Sequence, residues 1–309
     1  MRLWRKRGFA KPGLGVSAGL LVLAMPVVAS AYVQSRTSDG WPTVWRSHAI
    51  TIQFYSGEPP RFLENTSMMR MARASAATWS YPTNSCTDLT LNIVEVSESS
   101  VPAAYDMANR IGFRRGEWRK DPCTPDPEKK EFCDPYPGNA IAITTVTSNK
   151  RTGEILDADI ELNAVTQTFA DIVVDGPRPR GSLMTAQDLQ NTLTHELGHF
   201  IGFDHNCFDP AASPSPPKDQ FNRDAPLCST ASASIAEATM FNSALPGETK
   251  KRDLADDDLD ALCDIYKPID SGGCAFLAAR APSRRGGEAL ALAAIGLVAT
   301  RLMARRRRR

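Results

Sequence analysis

Eleven consecutive residues constrain this chain more than anything else in it: His195-Glu196-Leu197-Gly198-His199-Phe200-Ile201-Gly202-Phe203-Asp204-His205. On an α-helix, positions i and i+4 share a face, so His195 and His199 can aim both imidazoles at one ion. Glu196 sits one position round from His195, poorly placed as a third ligand and well placed to hydrogen-bond a water on that ion. Gly202 tolerates the left-handed conformation at which a helix stops and reverses. The chain then turns back, and His205 can supply a third nitrogen. Three protein ligands leave a fourth position open, the pattern of a catalytic rather than a structural zinc site. The chain has four histidines, and three fall in this stretch. That concentration counts against the alternative of a helix carrying two surface histidines.

Around this stretch the residue pattern alternates between strand and helix. Ile50, Ile52 and Phe54 alternate with polar neighbours, and Leu89, Leu91 and Ile93 do the same, which predicts two half-buried strands. Phe62, Met69, Ala72, Ala76 and Trp79 recur at helical spacing over 61–79 and are read as core. Residues 109–113 predict a short strand before a charged, Pro-rich insertion at 117–137. Residues 140–147 and 154–163 flank the turn 149–153 and read as a β-hairpin. Thr185-Ala186-Gln187-Asp188 reads as a capping box opening the metal helix, which should run from about Ala186 to Phe200. Leu189, Leu193, Leu197 and Phe200 would pack inward. Residues 206–234 are rich in Pro and Ser and too irregular for core. A last helix is predicted from Asp253 as N-cap, with Leu259, Leu262, Cys263 and Tyr266 on one face. Its acidic start, Asp256 and Asp257, is read as a solvated, dipole-matched helix end rather than a metal site. Residues 32–46 are read as a lead-in without an element of their own.

An apolar fraction of 42% supports one sizeable core and excludes general disorder. The net charge is only +1, with a basic cluster at each end and a net acidic middle, so a nucleic-acid partner is not expected. The basic start, the apolar run Val16–Val28 and Ala29-Ser30-Ala31 predict a secretory signal over residues 1–31, with an uncleaved anchor as the alternative. Export implies a disulfide-permissive compartment, and seven cysteines fit it. Six of them lie in the body and allow fifteen pairings. Cys123 with Cys133 and Cys207 with Cys228 are attractive because each would close one Pro-rich loop, and no close CxxC pair suggests a thiolate zinc site. Cys274 stands apart, next to Gly272-Gly273.

The long motif, with a methionine downstream, resembles the metzincin zinc peptidases, and the matrixin branch in particular. Met240 matches the methionine of the metzincin Met-turn, an apolar floor beneath the histidines. Residues 153–160 resemble the strand before the active-site helix, and 252–266 the helix that follows the Met-turn. The resemblance spans roughly 37–268. It implies an α+β fold: a twisted mixed sheet with helices, an active-site helix bearing HExxH, and a small C-terminal subdomain holding His205, the Met-turn and the final helix. It implies a catalytic Zn2+ on His195, His199 and His205, Glu196 as general base toward a zinc-activated water, and protein or peptide substrates. An extended substrate would add to a sheet edge, the 140–147 strand being the candidate.

The chain departs from the matrixin pattern in three ways. Only His48 is left over for a second, structural zinc, so that site cannot exist in the same form. Structural Ca2+ through Asp157, Asp159 or Asp175 is weighed against a plain surface strand. No pro-segment with an inhibitory cysteine is visible before the domain, and the insertions around Cys123–Cys133 and Cys207–Cys228 are large. The end of the chain, 271–309, resembles a myxobacterial-type C-terminal sorting tail: Gly-Gly-Cys, a spacer, the apolar run Ala289–Thr300 and an arginine cluster. A plain single-pass anchor is its alternative. The expected organisation is thus a signal at 1–31, a metalloprotease domain at 32–270 and a surface-attachment tail at 271–309. Two rival functions stand beside the peptidase: a catalytically silent zinc-binding surface adhesin, and a structural envelope protein.

Overall fold

The computed structural model describes residues 32–82, 86–120, 135–180 and 185–269. The predicted signal, the Cys123–Cys133 pair and the C-terminal tail lie outside the described residues. Among those that are described, no helix is long and apolar enough to cross a membrane.

The stretch read as a lead-in is instead part of the core. It contains a short strand, β1 (Val33–Gln34), and Val33 is buried. Trp45 follows, and its indole Nε1–H donates to Phe200 O at 2.9 Å. Val44 also packs against the core and exchanges backbone hydrogen bonds with Gly153 and Ile155, although no periodicity announced this docking.

The alternating segments form one mixed sheet. Its strands are β2 (Ala49–Tyr55), β3 (Thr90–Val96), β4 (Arg110–Arg114), β5 (Ala142–Ser148) and β6 (Ile155–Asn163). The order is β3-β2-β4-β6-β5. β2 runs parallel to β3 and β4, β4 runs parallel to β6, and only β5 is antiparallel to its neighbour. The predicted hairpin is therefore the β5–β6 pair, with Thr144 opposite Ile160 and a register shift at Thr147/Ser148. Its turn closes at Gly153, where φ is +73° and a Cβ would fall 1.9 Å from Pro42 O. β5 is an edge strand.

Two long helices pack together. Helix α1 (Asn65–Ser80) begins four residues later than the helical spacing predicts, because Leu63 N–H closes a turn onto Pro60 O. Phe62 is consequently half-exposed, with the Arg61 guanidinium over its ring. Trp79 and Met69 are core as expected. Two short strands, β7 (Phe169–Ala170) and β8 (Gln187–Asp188), pair in parallel around a single helical turn, α2 (Ile172–Asp175). This pairing keeps 187–188 extended, so the metal-motif helix α3 (Leu189–Phe200) starts after it and Thr185 is not its cap. The cap is Asp188, whose Oδ1 accepts from Asn191 N–H at 2.8 Å. Trp79 Nε1–H donates to Thr194 O at 2.8 Å and Ser75 Oγ–H to Gln190 O at 3.1 Å, fixing α1 against α3.

Beyond α3, β9 (Phe203–Asp204) pairs antiparallel with β1. The 206–234 segment is irregular as predicted, and the Cys207–Cys228 disulfide closes it. A helical turn, α4 (Ala233–Ala236), precedes the last helix, α5 (Asp256–Ile265). Asp253 is not its N-cap: Lys250–Arg252 forms a 3-10 turn, Asp253 is extended, and Ala255 occupies the cap position. A second disulfide, Cys86–Cys263, joins residues 177 positions apart, a pairing that loop closure did not suggest. The two disulfides among the described residues fit an oxidising compartment. The fold is α+β with a mixed sheet, and its compact unit runs to Pro268.

Candidate metal centre

Helix α3 presents His195 and His199 one turn apart, and the reversal after it returns His205 to the same place. The reversal is made at Gly202, where φ is +92° and a Cβ would lie 2.5 Å from Thr43 O. The end of α3 is then closed from both flanks of the chain. Gly202 N–H donates to His199 O, Trp45 Nε1–H to Phe200 O, and the Tyr266 hydroxyl to Ile201 O at 2.7 Å. Carbonyls that a helix end leaves orphaned are thereby satisfied, and His205 is held at a fixed offset from the other two.

One potential ligand atom from each of the three histidines lies within 4.8 Å of the others. His199 Nδ1 faces Phe203 O at 2.9 Å and His195 Nδ1 faces Thr239 O at 2.7 Å. A carbonyl only accepts, so both Nδ1 atoms carry the proton and both Nε2 atoms carry the lone pair. Lys251 Nζ lies 3.4 Å from His195 Nδ1, but that nitrogen already donates, and the ammonium is held instead by Phe241 O. His199 Nε2 and His205 Nε2 stand 3.1 Å apart, close to the separation of about 3.3 Å between two nitrogens on one tetrahedral ion. Burial pushes the His195 and His205 imidazoles well below their usual range, with nearby cationic groups adding to it. Neutral imidazoles with converging lone pairs are what a metal ion requires. The triad fits an ion. It is the only group of three metal-capable side chains among the described residues.

Met240 packs against this helix from below. Its Sδ occupies the space beside Gly198, and its backbone N–H and that of Thr239 donate to the Asp258 carboxylate at 3.2 and 2.7 Å. Asp258 is thus buried and structural. At the start of α5, Asp256 is exposed as predicted and Asp257 is half-buried, while Asp258 beside them falls on the same helix face as Ala261 and Leu262.

Glu196 is buried at 6% exposure. Its Oε2 accepts from the Thr144 hydroxyl of β5 at 2.6 Å. Thr144, Lys251 and Asp258 are residues that sequence reasoning missed. For Thr144 the signal was there: period two places it between Ala142 and Val146 on the face toward α3. Lys251 carried none, since Lys250 beside it looks identical. Behind the helix start, Asp188 and Asp171 share Arg252, and Arg70 also pairs with Asp171.

The candidate calcium residues do not gather. Asp157 and Asp159 are buried on β6, not on a solvent-facing strand, and Asp175 is exposed at the end of α2. Asp159 accepts from the backbone N–H groups of Ala104 and Arg110. The leftover His48 pairs with Asp88. A cavity of about 360 Å³ opens beside His205, between Gln34 and Arg36 on one side and the Cys207–Cys228 loop on the other. A comparison of the sequence with protein-family models and with curated proteins finds no match.

Proposed function

We propose that this chain is a zinc-dependent endopeptidase of the metzincin type, matrixin-like, exported and attached to the cell surface through its C-terminal tail. The observation that carries the reading is the convergence of His195, His199 and His205 on one point, with buried Glu196 on the same helix turn. Met240 beneath Gly198 supports it, as does the antiparallel edge strand β5 beside α3, onto which an extended peptide could add. A zinc ion held by the three imidazoles would supply Lewis-acid polarisation of a scissile carbonyl and a lowered pKa for water.

The chain's own residues do the remainder. Glu196 takes a proton from the attacking water at its carboxylate and delivers it to the leaving amine. Thr239 O and Phe203 O orient two of the imidazoles through their Nδ1–H groups. The cavity beside His205 would accommodate a side chain of a protein or peptide substrate.

The test is zinc content and peptide-library cleavage by the full chain, wild type beside Glu196→Gln. One zinc per chain in both proteins, with cleavage by the wild type alone, is the expected result. Zinc in both with cleavage in neither would favour the silent adhesin. No zinc would remove the basis of the reading.

A further inference from the structure

We infer that Thr144 is a positioning residue for Glu196: its hydroxyl holds Oε2 of the carboxylate so that Oε1 is the oxygen exchanging the proton. The inference rests on the peptidase reading and adds a residue to it. Thr144 Oγ lies 2.6 Å from Glu196 Oε2 and 3.2 Å from the main-chain oxygen of the same residue. A threonine hydroxyl has one proton to give. The shorter contact is to the carboxylate, so that is where the proton points while Glu196 is ionised. Oε1 has no protein partner among the described residues, and it is not a buried unpaired atom. The two oxygens are therefore inequivalent before any substrate arrives.

The same contact serves the return step. When Oε1 has taken the proton, Oε2 is the carbonyl oxygen of the neutral acid and still accepts from the Thr144 hydroxyl. The partner thus suits both protonation states of the base without a change in backbone.

The placement also ties the base to the sheet. Thr144 sits on edge strand β5, opposite Ile160 of β6, and it is the side chain through which that strand hydrogen-bonds Glu196. A residue that merely filled space there could be replaced by valine, which has the same shape and lacks the hydroxyl.

The experiment compares the full-length wild type with Thr144→Val, Thr144→Ser and Glu196→Gln on one peptide substrate. Zinc content and thermal midpoint are measured alongside. Loss of a group that orients a site residue typically lowers activity about 10–100-fold. Thr144→Val should therefore lose kcat in that range, with KM within about twofold, one zinc per chain and an unchanged midpoint. Thr144→Ser, which restores the hydroxyl, should return kcat to within about threefold of the wild type. Full kcat in Thr144→Val would overturn the role, and so would an equal loss in the serine and valine variants. If Thr144→Val fails to fold, Thr144→Ala, which also lacks the hydroxyl, takes its place against Thr144→Ser: a kcat loss in alanine that serine restores supports the role, and full kcat in alanine or equal losses in both refute it. Absence of cleavage by the wild type is a distinct result, which overturns the peptidase reading and this role with it.

Discussion

The sulfur of Met240 lies 2.2 Å from the point a Cβ on Gly198 would occupy, and Trp79 Cζ2 lies 3.0 Å from it. Gly198 is the residue between the two helical histidines that leaves room for this packing. Alanine in its place would gain about 1 kcal/mol of helix propensity. Overpacking a filled core costs about 1–3 kcal/mol, and Met240 is itself only 3% exposed. The packing cost should win. Gly198→Ala is expected to lower the unfolding free energy in urea and to weaken metal binding. Met240→Ala should cost less in the Gly198→Ala background than in the wild type, as a double-mutant cycle would read.

Asp258 is expected to matter as much to the metal centre as to α5. Its carboxylate receives the N–H groups of Thr239, Met240 and Ala255. Thr239 O in turn receives His195 Nδ1–H. Buried donors left unpaired cost about 1–3 kcal/mol each, so Asp258→Ala should destabilise the fold by roughly 3 kcal/mol or more. Zinc titration should show weaker binding in the same variant, through the displaced Thr239 carbonyl. A variant that unfolds early but binds zinc normally would separate the two effects.

Asp159 gives a pH dependence with a defined sign. Burial pushes its carboxyl up to about 6, and the neighbouring Asp157 charge adds to the rise, against the N–H groups of Ala104 and Arg110. In the unfolded chain the group titrates near the ordinary value of about 3.9. Between these two values the folded state holds a proton that the unfolded state has released, so stability falls as pH rises. The contribution is fully present below about pH 4 and lost above about pH 6. The difference in unfolding free energy between wild type and Asp159→Asn should therefore shift against the wild type across this window and level off above it. A flat difference from pH 4 to pH 7 would contradict the assignment.

Removal of the metal is expected to abolish cleavage and leave the fold standing. The α1–α3 contact, the sheet and both disulfides do not pass through the histidines. Chelation should leave the far- and near-ultraviolet circular dichroism largely intact, and zinc should restore activity. Unfolding on chelation would instead favour the structural envelope protein.

How much of this was legible in the sequence depends on how far apart the partners lie. The i, i+4 spacing of His195 and His199, the stop at Gly202 and the alternation of Ile50, Ile52 and Phe54 are local patterns, and the structure follows them. The α3 cap is Asp188 and not Thr185, because β8 has a distant partner, β7, that keeps Gln187 and Asp188 extended. Asp258 follows Asp256 and Asp257 with nothing local to set it apart, yet its role is set by Thr239 and Met240, across an irregular stretch. Trp45 and Tyr266 close the same helix end from opposite ends of the domain. No window along the chain contains both.

The Cys86–Cys263 bond has a consequence for how the protein would be handled at the bench. It encloses His195, Glu196, His199, His205 and Met240 within one covalent ring. A peptidase that nicked itself anywhere inside that ring would still migrate as one species on a non-reducing gel. The fragments would separate only after thiol treatment. A single cut beyond Cys263 would behave differently, releasing the C-terminal segment and leaving the ring whole. Paired gels, with and without reductant, would therefore tell shedding from self-digestion.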